Sequence, residues 1–149
     1  MEGVMIRDMF EKDLHDVHQV ESICDLTPWS VNSLRYEISN KDSILKVAVR
    51  DDKIIGYVCI RTLLDITHVM KISVLPEDRR NGIGSALLSE SLKQLRLDKP
   101  DINSVTLEVR DSNSAANKLY NNFGFRTTGS RRNYYKNPLE DGVVMQLDL

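Results

Sequence analysis

The sequence predicts a single domain of mixed α/β (α+β) class, in which a mainly antiparallel sheet is flanked by helices. Three observations support this class. Helix-like and strand-like segments alternate along the chain, three runs rich in β-branched residues follow one another between positions 44 and 75, and no repeat or Gly/Ser-rich linker interrupts the 149 residues. A chain of this length buries one core of ordinary size, so we expect one domain over residues 1–149.

The first half of the chain is predicted to contain two helices and four strands. A short strand at residues 4–6 precedes a helix that Asp13 opens. The apolar positions of this helix are Leu14, Val17, Val20 and Ile23. Pro28 interrupts the chain, and Ser30 caps a second helix. Three further strands are predicted at residues 44–50, 53–62 and 66–75. Their short connections favour an antiparallel meander.

The second half is predicted to alternate helix and strand before it ends in two strands. A helix at residues 82–97 carries one apolar stripe. The stripe consists of Ile83, Leu87, Leu88, Leu92 and Leu95. A strand at residues 104–109 leads into a helix at residues 114–123, which Gly124 ends. The last two strands are predicted at residues 125–135 and 143–147.

Composition limits the classes of protein to which the chain can belong. A net charge of −2 and a pI near 5.9 argue against a general binder of nucleic acid or of membrane surfaces. The apolar runs are short, and charges at Glu2, Arg7 and Asp8 exclude a signal peptide, so we expect a cytoplasmic protein. Cys24 and Cys59 are isolated, which indicates reduced structural thiols and no metal site.

A glycine-rich segment with two arginines opens the helix at residue 82. Its residues are Arg79, Arg80, Asn81, Gly82, Ile83, Gly84 and Ser85. Free backbone N–H groups and the helix dipole attract an anion there, and glycines let a phosphate approach the backbone. No lysine follows Gly84, and Leu87 stands where a dinucleotide motif needs a third small residue, so ATP and NAD are not favoured. A plain turn and helix cap is the alternative interpretation.

The strand at residues 104–110 alternates between apolar and polar side chains. Polar residues on one face of a strand flanked by helices suggest that this face lines a cleft, with Glu108 as its carboxylate. The alternative is a half-exposed strand with a solvated Glu108. Ser112 and Asn113 then cap a helix that carries Tyr120 on its apolar face, where ordinary core packing is the alternative role.

These residues carry a family resemblance. Two parts of the sequence together resemble the GNAT superfamily of acetyl-CoA-dependent N-acetyltransferases. They are Arg79-x-x-Gly82-x-Gly84 and the segment from Leu107-Glu108-Val109-Arg110 to Leu119-Tyr120 and Gly124-Phe125. Three further segments are similar to the ribosomal-protein alanine N-acetyltransferase (RimI-like) branch and its archaeal relatives. They are Pro28-Trp29-Ser30, Arg131-Arg132-Asn133-Tyr134-Tyr135 and Glu140-Asp141. The departures from that pattern are Arg79, a longer connection at residues 97–103, and Gly142.

The resemblance implies a cleft for acetyl-CoA between two splayed strands, and no metal. Backbone groups of Ile72, Ser73 and Val74 would hold the pantetheine arm of the cofactor. The segment from Arg79 to Ser85 would hold its pyrophosphate, and Asn113 would contact another part of it. An N–H group near Val74 or Leu75 would stabilise the oxyanion. Glu108 would be the general base, directly or through water, and Tyr120 the acid that protonates the leaving thiolate. Trp29 and Tyr134 would line a slot for peptide substrate, although both could equally be edge packing.

The favoured function is acetylation of a protein or peptide amino terminus, with ribosomal proteins among the candidate substrates. An α-amino group with a pKa near ~7.7 is roughly 15–20% neutral at pH 7, whereas under ~0.1% of a lysine with a pKa near ~10.4 is neutral. Two alternatives stay open: acetylation of lysine or a small-molecule amine on the same fold, and a non-catalytic acyl-CoA-binding module. No nucleic-acid or membrane partner is expected, and the residues predict no particular oligomeric state.

Overall fold

The computed structural model describes residues 2–149, and in that part of the chain seven strands and four α-helices alternate as predicted. The strands are β1 (Val4–Asp8), β2 (Ser43–Arg50), β3 (Lys53–Leu63), β4 (Ile66–Val74), β5 (Ser104–Arg110), β6 (Arg126–Tyr135) and β7 (Glu140–Asp148). The helices are α1 (Leu14–Cys24), α2 (Val31–Ser39), α3 (Ile83–Asp98) and α4 (Ser114–Phe123). Short 3-10 turns occupy Glu11–Asp13 and Pro76–Asp78.

All seven strands form one sheet in the order β1-β2-β3-β4-β5-β7-β6. Neighbouring strands are antiparallel except β4 and β5, which run parallel. The parallel pairing is short, because it joins only the first residues of each strand. Its pairs are Ile66 with Ser104, Thr67 with Val105, and His68 with Thr106. Beyond that point the two strands separate, which confirms the predicted mixed sheet with splayed central strands.

A β-bulge lies in β4 just after the last residue that pairs with β5. On β3, Ile60 pairs with Val69 and Cys59 pairs with Lys71, so Met70 has no residue opposite it. Because a bulge bends its strand and increases the local twist, β4 turns away from β5 at this level. The sheet thereby opens toward the carboxyl ends of β4 and β5.

Helices cover both faces of the central strands. Every residue of β3 from Ile54 to Ile60 is buried, as expected for a strand enclosed on both sides. The helix α3 contacts β2, β3 and β4 through its predicted apolar stripe, and α1 and α2 also pack on the sheet. No helix within residues 2–149 has the length and apolar character needed to cross a membrane.

Two details of the first helix differ from the sequence prediction. Ile23 is 63% exposed, and the buried position on the inner face is taken instead by Glu21, whose charge is satisfied by other polar groups there. Asp13 does precede the helix, but its carboxylate does not cap it. That carboxylate accepts hydrogen bonds from Arg7 and from the backbone N–H of Phe10.

Candidate active site

The amino end of α3 presents free backbone donors. The first bond within the helix runs from Ala86 N to Gly82 O, so the N–H groups of Ile83, Gly84 and Ser85 have no partner inside the helix. Gly82 has a φ of 77°, and a Cβ added there would meet nothing within 4 Å. An open surface of this kind at a helix amino terminus suits an anionic group such as a pyrophosphate.

The second glycine of the motif has a packing role. A Cβ on Gly84 would lie 3.1 Å from Cδ1 of Leu119, so its absence lets α3 approach α4 closely. The preceding side chains also form local contacts. Arg79 Nε donates to Val74 O at 2.9 Å, and Asn81 Nδ2 donates to Asp78 O at 3.4 Å. The loop is therefore fastened to the end of β4.

The separated part of β4 exposes backbone groups toward β5. Leu75 N–H donates to Ile55 O on β3 at 2.9 Å. Because successive residues of a strand direct their peptide groups to opposite sides, those of Ser73 also face β3, whereas those of Ile72 and Val74 face the cleft. Leu75 is thus unsuited as an oxyanion donor, since its N–H is already bonded within the sheet. Of the two donors predicted, only Val74 faces the cleft.

Glu108 lies on β5 beside the point where β4 departs. Its side chain is only 9% exposed, and Oε2 is 2.7 Å from Nε2 of His68 on β4. The other ring nitrogen of His68, Nδ1, lies 2.8 Å from the hydroxyl of Thr106. On the outer side, Arg131 Nε is 3.6 Å from Oε1. The carboxylate is therefore held between an imidazole from the cleft floor and a guanidinium from β6.

Tyr120 occupies the apolar face of α4, as predicted. The residue is 9% exposed, and its ring meets the edge of Phe125 at a centroid distance of 5.7 Å. Burial raises the pKa of Tyr120 to about 12, so its phenol is protonated at neutral pH. Tyr135 has a pKa raised by burial and, to a lesser extent, by nearby groups that include Glu108 and Tyr120.

Asn113 caps α4 as expected. Its Oδ1 accepts a hydrogen bond from Ala116 N at 3.1 Å. The backbone N–H of the adjacent Ser112 donates to Glu140 Oε2 at 2.6 Å, and Arg110 donates to the other oxygen of Glu140 at 3.2 Å. These contacts tie the start of α4 to β7 and so fix its position beside the cleft.

Trp29 lies in the α1–α2 connection and is fixed to β4 through Glu21. The Glu21 carboxylate, which is fully buried, accepts from Trp29 N at 3.1 Å, from Ser73 Oγ at 3.1 Å and from Lys71 Nζ at 3.0 Å. The Lys71 ammonium also lies 5.8 Å from the centroid of the Trp29 ring. Burial opposes the charge on Lys71, but contacts with Asp25 and Glu21 bring its pKa above the ordinary value. The predicted substrate loop and the predicted cofactor strand thus share one buried carboxylate.

Tyr134 lies on β6 beside Arg131, which pairs with Glu108. It is 43% exposed, packs edge-to-face with Tyr135 at 5.0 Å, and lies under the Arg131 guanidinium at 5.4 Å. A Cβ on Gly142 would be 3.2 Å from the Tyr134 ring, so glycine at this position makes room for the aromatic side chain. Asn133 adopts a φ of 53°, and its N–H donates to Asp141 Oδ1 at 2.8 Å.

Three residues of the site were not predicted from the sequence: His68, Glu21 and Lys71. A lone histidine in β4 was the available signal for the first, but its register with Thr106 is visible only in the folded sheet. In residues 2–149 no group of three or more His, Cys, Asp or Glu side chains is arranged to hold a metal ion.

Comparison with known proteins places this geometry among acetyltransferases. Residues 10–125 match the profile of the Acetyltransferase (GNAT) family. The chain is 34% identical to the [ribosomal protein bS18]-alanine N-acetyltransferase of Haemophilus ducreyi over 97% of this chain and 100% of that protein. The crystal structure of the ribosomal-protein-S18-alanine N-acetyltransferase from Escherichia coli superimposes with a TM-score of 0.87 at 28% identity, covering 97% of this chain and 93% of that one. Arabidopsis thaliana NAA60, solved with a bisubstrate analogue, shares the fold with a TM-score of 0.88 at 19% identity, covering 97% of each chain.

Proposed function

The chain belongs to the GNAT acetyltransferase family, and on that premise we propose that it transfers the acetyl group of acetyl-CoA to the α-amine of a protein amino terminus. Attack is direct, with amine and thioester bound together. The observation that carries this proposal is the Glu108 carboxylate, which is 9% exposed, pairs with His68 where β4 leaves β5, and lies beside the peptide groups of Ile72 and Val74 that do not pair with β3.

The residues present fit acetyl-CoA. The free N–H groups at the start of α3 suit its pyrophosphate, and the peptide groups of Ile72 and the N–H of Val74 suit the amides of its pantetheine arm. Acetyl-CoA supplies an acetyl group that is already activated as a thioester. The protein's task is to hold the amine in position and to manage two protons, and positioning alone removes several kcal/mol of the barrier.

Glu108 and Tyr120 manage the two protons. The amine nitrogen forms a bond to the acetyl carbon while the bond from that carbon to sulfur breaks. The proton lost by the amine goes to Glu108, directly or through water, and the departing thiolate takes a proton from the Tyr120 hydroxyl. With a pKa raised to about 12 by burial, Tyr120 keeps that proton at neutral pH until it is needed.

An α-amine is the nucleophile best matched to this site. The Glu108 carboxylate lies 2.7 Å from Nε2 of His68 and is placed to take one proton from the substrate amine. An α-amino group with a pKa near ~7.7 needs little help to become neutral, whereas lysine near ~10.4 needs much more. Trp29 and Tyr134 stand on opposite sides of the mouth as walls for the first residues of the substrate.

The Haemophilus ducreyi and Escherichia coli proteins named above act on a ribosomal protein, by their names, and we propose the same class of substrate for this chain. A ribosomal protein amino terminus is met in the cytoplasm, which is the location we propose for the reaction. The contacts of the segment from Arg131 to Tyr135 with Asp141 and Gly142 fix the position of Tyr134, which we assign to one wall of the peptide slot.

Mass spectrometry of acetylated peptides tests the proposal. The protein is incubated with acetyl-CoA and peptides that vary at their first two residues, each in a free and an amino-blocked form, and the position of the added acetyl group is read from fragment ions. We expect acetyl on the α-amine of free peptides and none on blocked copies. Acetyl on internal lysines of blocked copies alone would indicate a lysine acetyltransferase, and binding without turnover would indicate an acyl-CoA-binding module.

A further inference from the structure

We infer that a groove along α2 binds the substrate chain three to five residues after the acetylated amine and selects an aromatic side chain there. The α2 groove is lined by Trp29, Asn32, Ser33, Tyr36, Glu37 and Arg61 and has a volume of about 440 Å³. This size lies within the range of pockets that bind small ligands, which is roughly 300–1,000 Å³. The inference rests on the proposed function, because it assigns the groove to the same substrate.

The groove continues from the mouth of the catalytic cleft. Trp29 belongs to both, since its ring lines the groove and also faces the Lys71 ammonium on β4. Arg61 on β3 is the register partner of His68 on β4, and paired residues direct their side chains to the same face of a sheet. His68 in turn contacts Glu108. The lining residues and the catalytic carboxylate therefore share one face of the sheet.

The spacing of the strands sets which part of the substrate reaches the groove. Glu108 lies on β5 and Arg61 on β3, two strands away. With about 4.8 Å between neighbouring strands, the separation is roughly 10 Å across the sheet. An extended chain advances about 3.3 Å per residue. A peptide with its first residue at Glu108 consequently brings its third to fifth residues to the groove.

The chemistry of the lining favours an aromatic side chain over a charged one. Tyr36 is 63% exposed on α2, and with the partly buried Trp29 it gives the groove two aromatic rings. The one carboxylate, Glu37, accepts hydrogen bonds from Arg61 and from Ser43 Oγ. Its charge is thus neutralised within the protein. A flat apolar side chain gains contact with both rings and meets no unpaired charge.

Kinetics with a matched peptide series test this inference. Eight-residue peptides without Trp or Tyr carry Phe or Gly at position 4, and a three-residue peptide ends before the groove. We expect kcat/KM for the Phe peptide to exceed that for the Gly peptide by ~10-fold in the wild type. Tyr36→Ala should abolish this ratio, and Tyr36→Phe should retain it. Leu97→Ala, at an 81% exposed position on α3, is the control and should leave every rate unchanged.

Two kinetic outcomes would overturn the inference. One is an equal rate for the Phe and Gly peptides in the wild type. The other is a loss of activity on the three-residue peptide in Tyr36→Ala, because that peptide does not reach the groove and the loss would show that Tyr36 acts on the cleft itself.

Fluorescence separates failure of the groove from failure of the proposed function. Trp29 is the single tryptophan of the chain, so its emission reports what binds beside it. An amino-acetylated peptide with Phe at position 4 should change that emission saturably, and the same peptide with Gly should change it more weakly. In Tyr36→Ala the two peptides should give equal changes. This pattern without any α-amine acetylation would refute the function and support the groove. Acetylation of α-amines with no Phe preference in either measurement would refute the groove alone.

Discussion

Nε2 of His68 and Oε2 of Glu108 lie 2.7 Å apart across the level at which β4 and β5 separate. The imidazole therefore fixes the carboxylate at the inner end of the cleft. The other ring nitrogen, Nδ1, lies 2.8 Å from the hydroxyl of Thr106, and this contact sets the ring orientation. Three side chains on two strands thus form one row of polar contacts that ends at the carboxylate.

Removing the imidazole should slow catalysis while leaving acetyl-CoA binding intact. We expect His68→Ala to lower kcat by ~10-fold and Glu108→Gln by ~10²-fold or more, because the first loosens the base and the second removes it. Thr106→Val should have a smaller effect than His68→Ala, since the ring keeps its bond to Glu108. Stopped assays at saturating acetyl-CoA measure kcat, and calorimetric titration with CoA measures cofactor affinity. Wild-type turnover in His68→Ala would show that Glu108 needs no support from β4.

Loss of the Tyr120 hydroxyl should lower kcat by ~10²-fold without unfolding the protein, because phenylalanine keeps the packing against Phe125. The acid must be protonated to act, and a pKa of about 12 keeps it so up to about pH 10. Tyr120 should therefore cause no fall in wild-type kcat between pH 7 and pH 10. A smaller loss is expected for Tyr135→Phe. If Tyr135→Phe were the more damaging of the two, the acid would have to be assigned to Tyr135.

The sequence predicted the elements of this fold well because each is marked locally. Apolar stripes define α3 and α4, Gly124 ends α4 in a left-handed conformation, and Pro76 follows β4. The alternation in β5 indicated correctly that Glu108 has a different environment from its apolar neighbours. Local patterns of this kind are sufficient because they depend on one element at a time.

The contacts that complete the site depend on register between distant elements, and the sequence carries no local signal for them. His68 and Thr106 are brought together by the short parallel pairing of β4 with β5. Glu21 occupies a position of α1 where the pattern favoured an apolar residue, because Lys71 and Ser73 of β4 supply its partners. The close approach of Gly84 to Leu119, which brings α3 against α4, likewise depends on two elements that are distant in the sequence.

Two glycine substitutions should test whether the surface at Gly82 binds the cofactor. Gly82 has a φ of 77° and open space around its missing Cβ, so Gly82→Ala introduces strain and a methyl group at the predicted phosphate surface. We expect affinity for CoA to fall by ~10-fold or more. Gly129→Ala on β6 is the matched control, because a Cβ there also meets nothing within 4 Å. Calorimetric titration with CoA gives both affinities, and an unchanged value for Gly82→Ala would place the pyrophosphate elsewhere.

The ion pair between Arg7 and Asp13 should make stability depend on pH. Two guanidinium nitrogens of Arg7 donate to the largely buried Asp13 carboxylate, at 2.7 and 3.0 Å. The backbone N–H of Phe10 adds a hydrogen bond to the same carboxylate at 2.8 Å. Hydrogen bonds from Arg7 hold the pKa of Asp13 below its ordinary value despite burial. A carboxyl with a depressed pKa stabilises the folded state above its unfolded pKa of about 3.9, and that contribution is lost as the pH falls through the folded pKa.

Arg7→Met should therefore lower the free energy of unfolding at pH 7 by about 2 kcal/mol, because it leaves a buried carboxylate with only a backbone donor. The difference from wild type should shrink as the pH falls below about 4 toward the depressed folded pKa of Asp13 in the wild type, because the wild type loses the contribution of the ion pair there. The double variant Arg7→Met/Asp13→Asn removes both charges and should recover part of the loss at pH 7. Urea unfolding followed by circular dichroism at a series of pH values measures all three proteins. A stability difference between wild type and Arg7→Met that stays constant from pH 7 to pH 3 would show that packing of the Arg7 side chain, not its charge, is what stabilises the junction of β1 with α1.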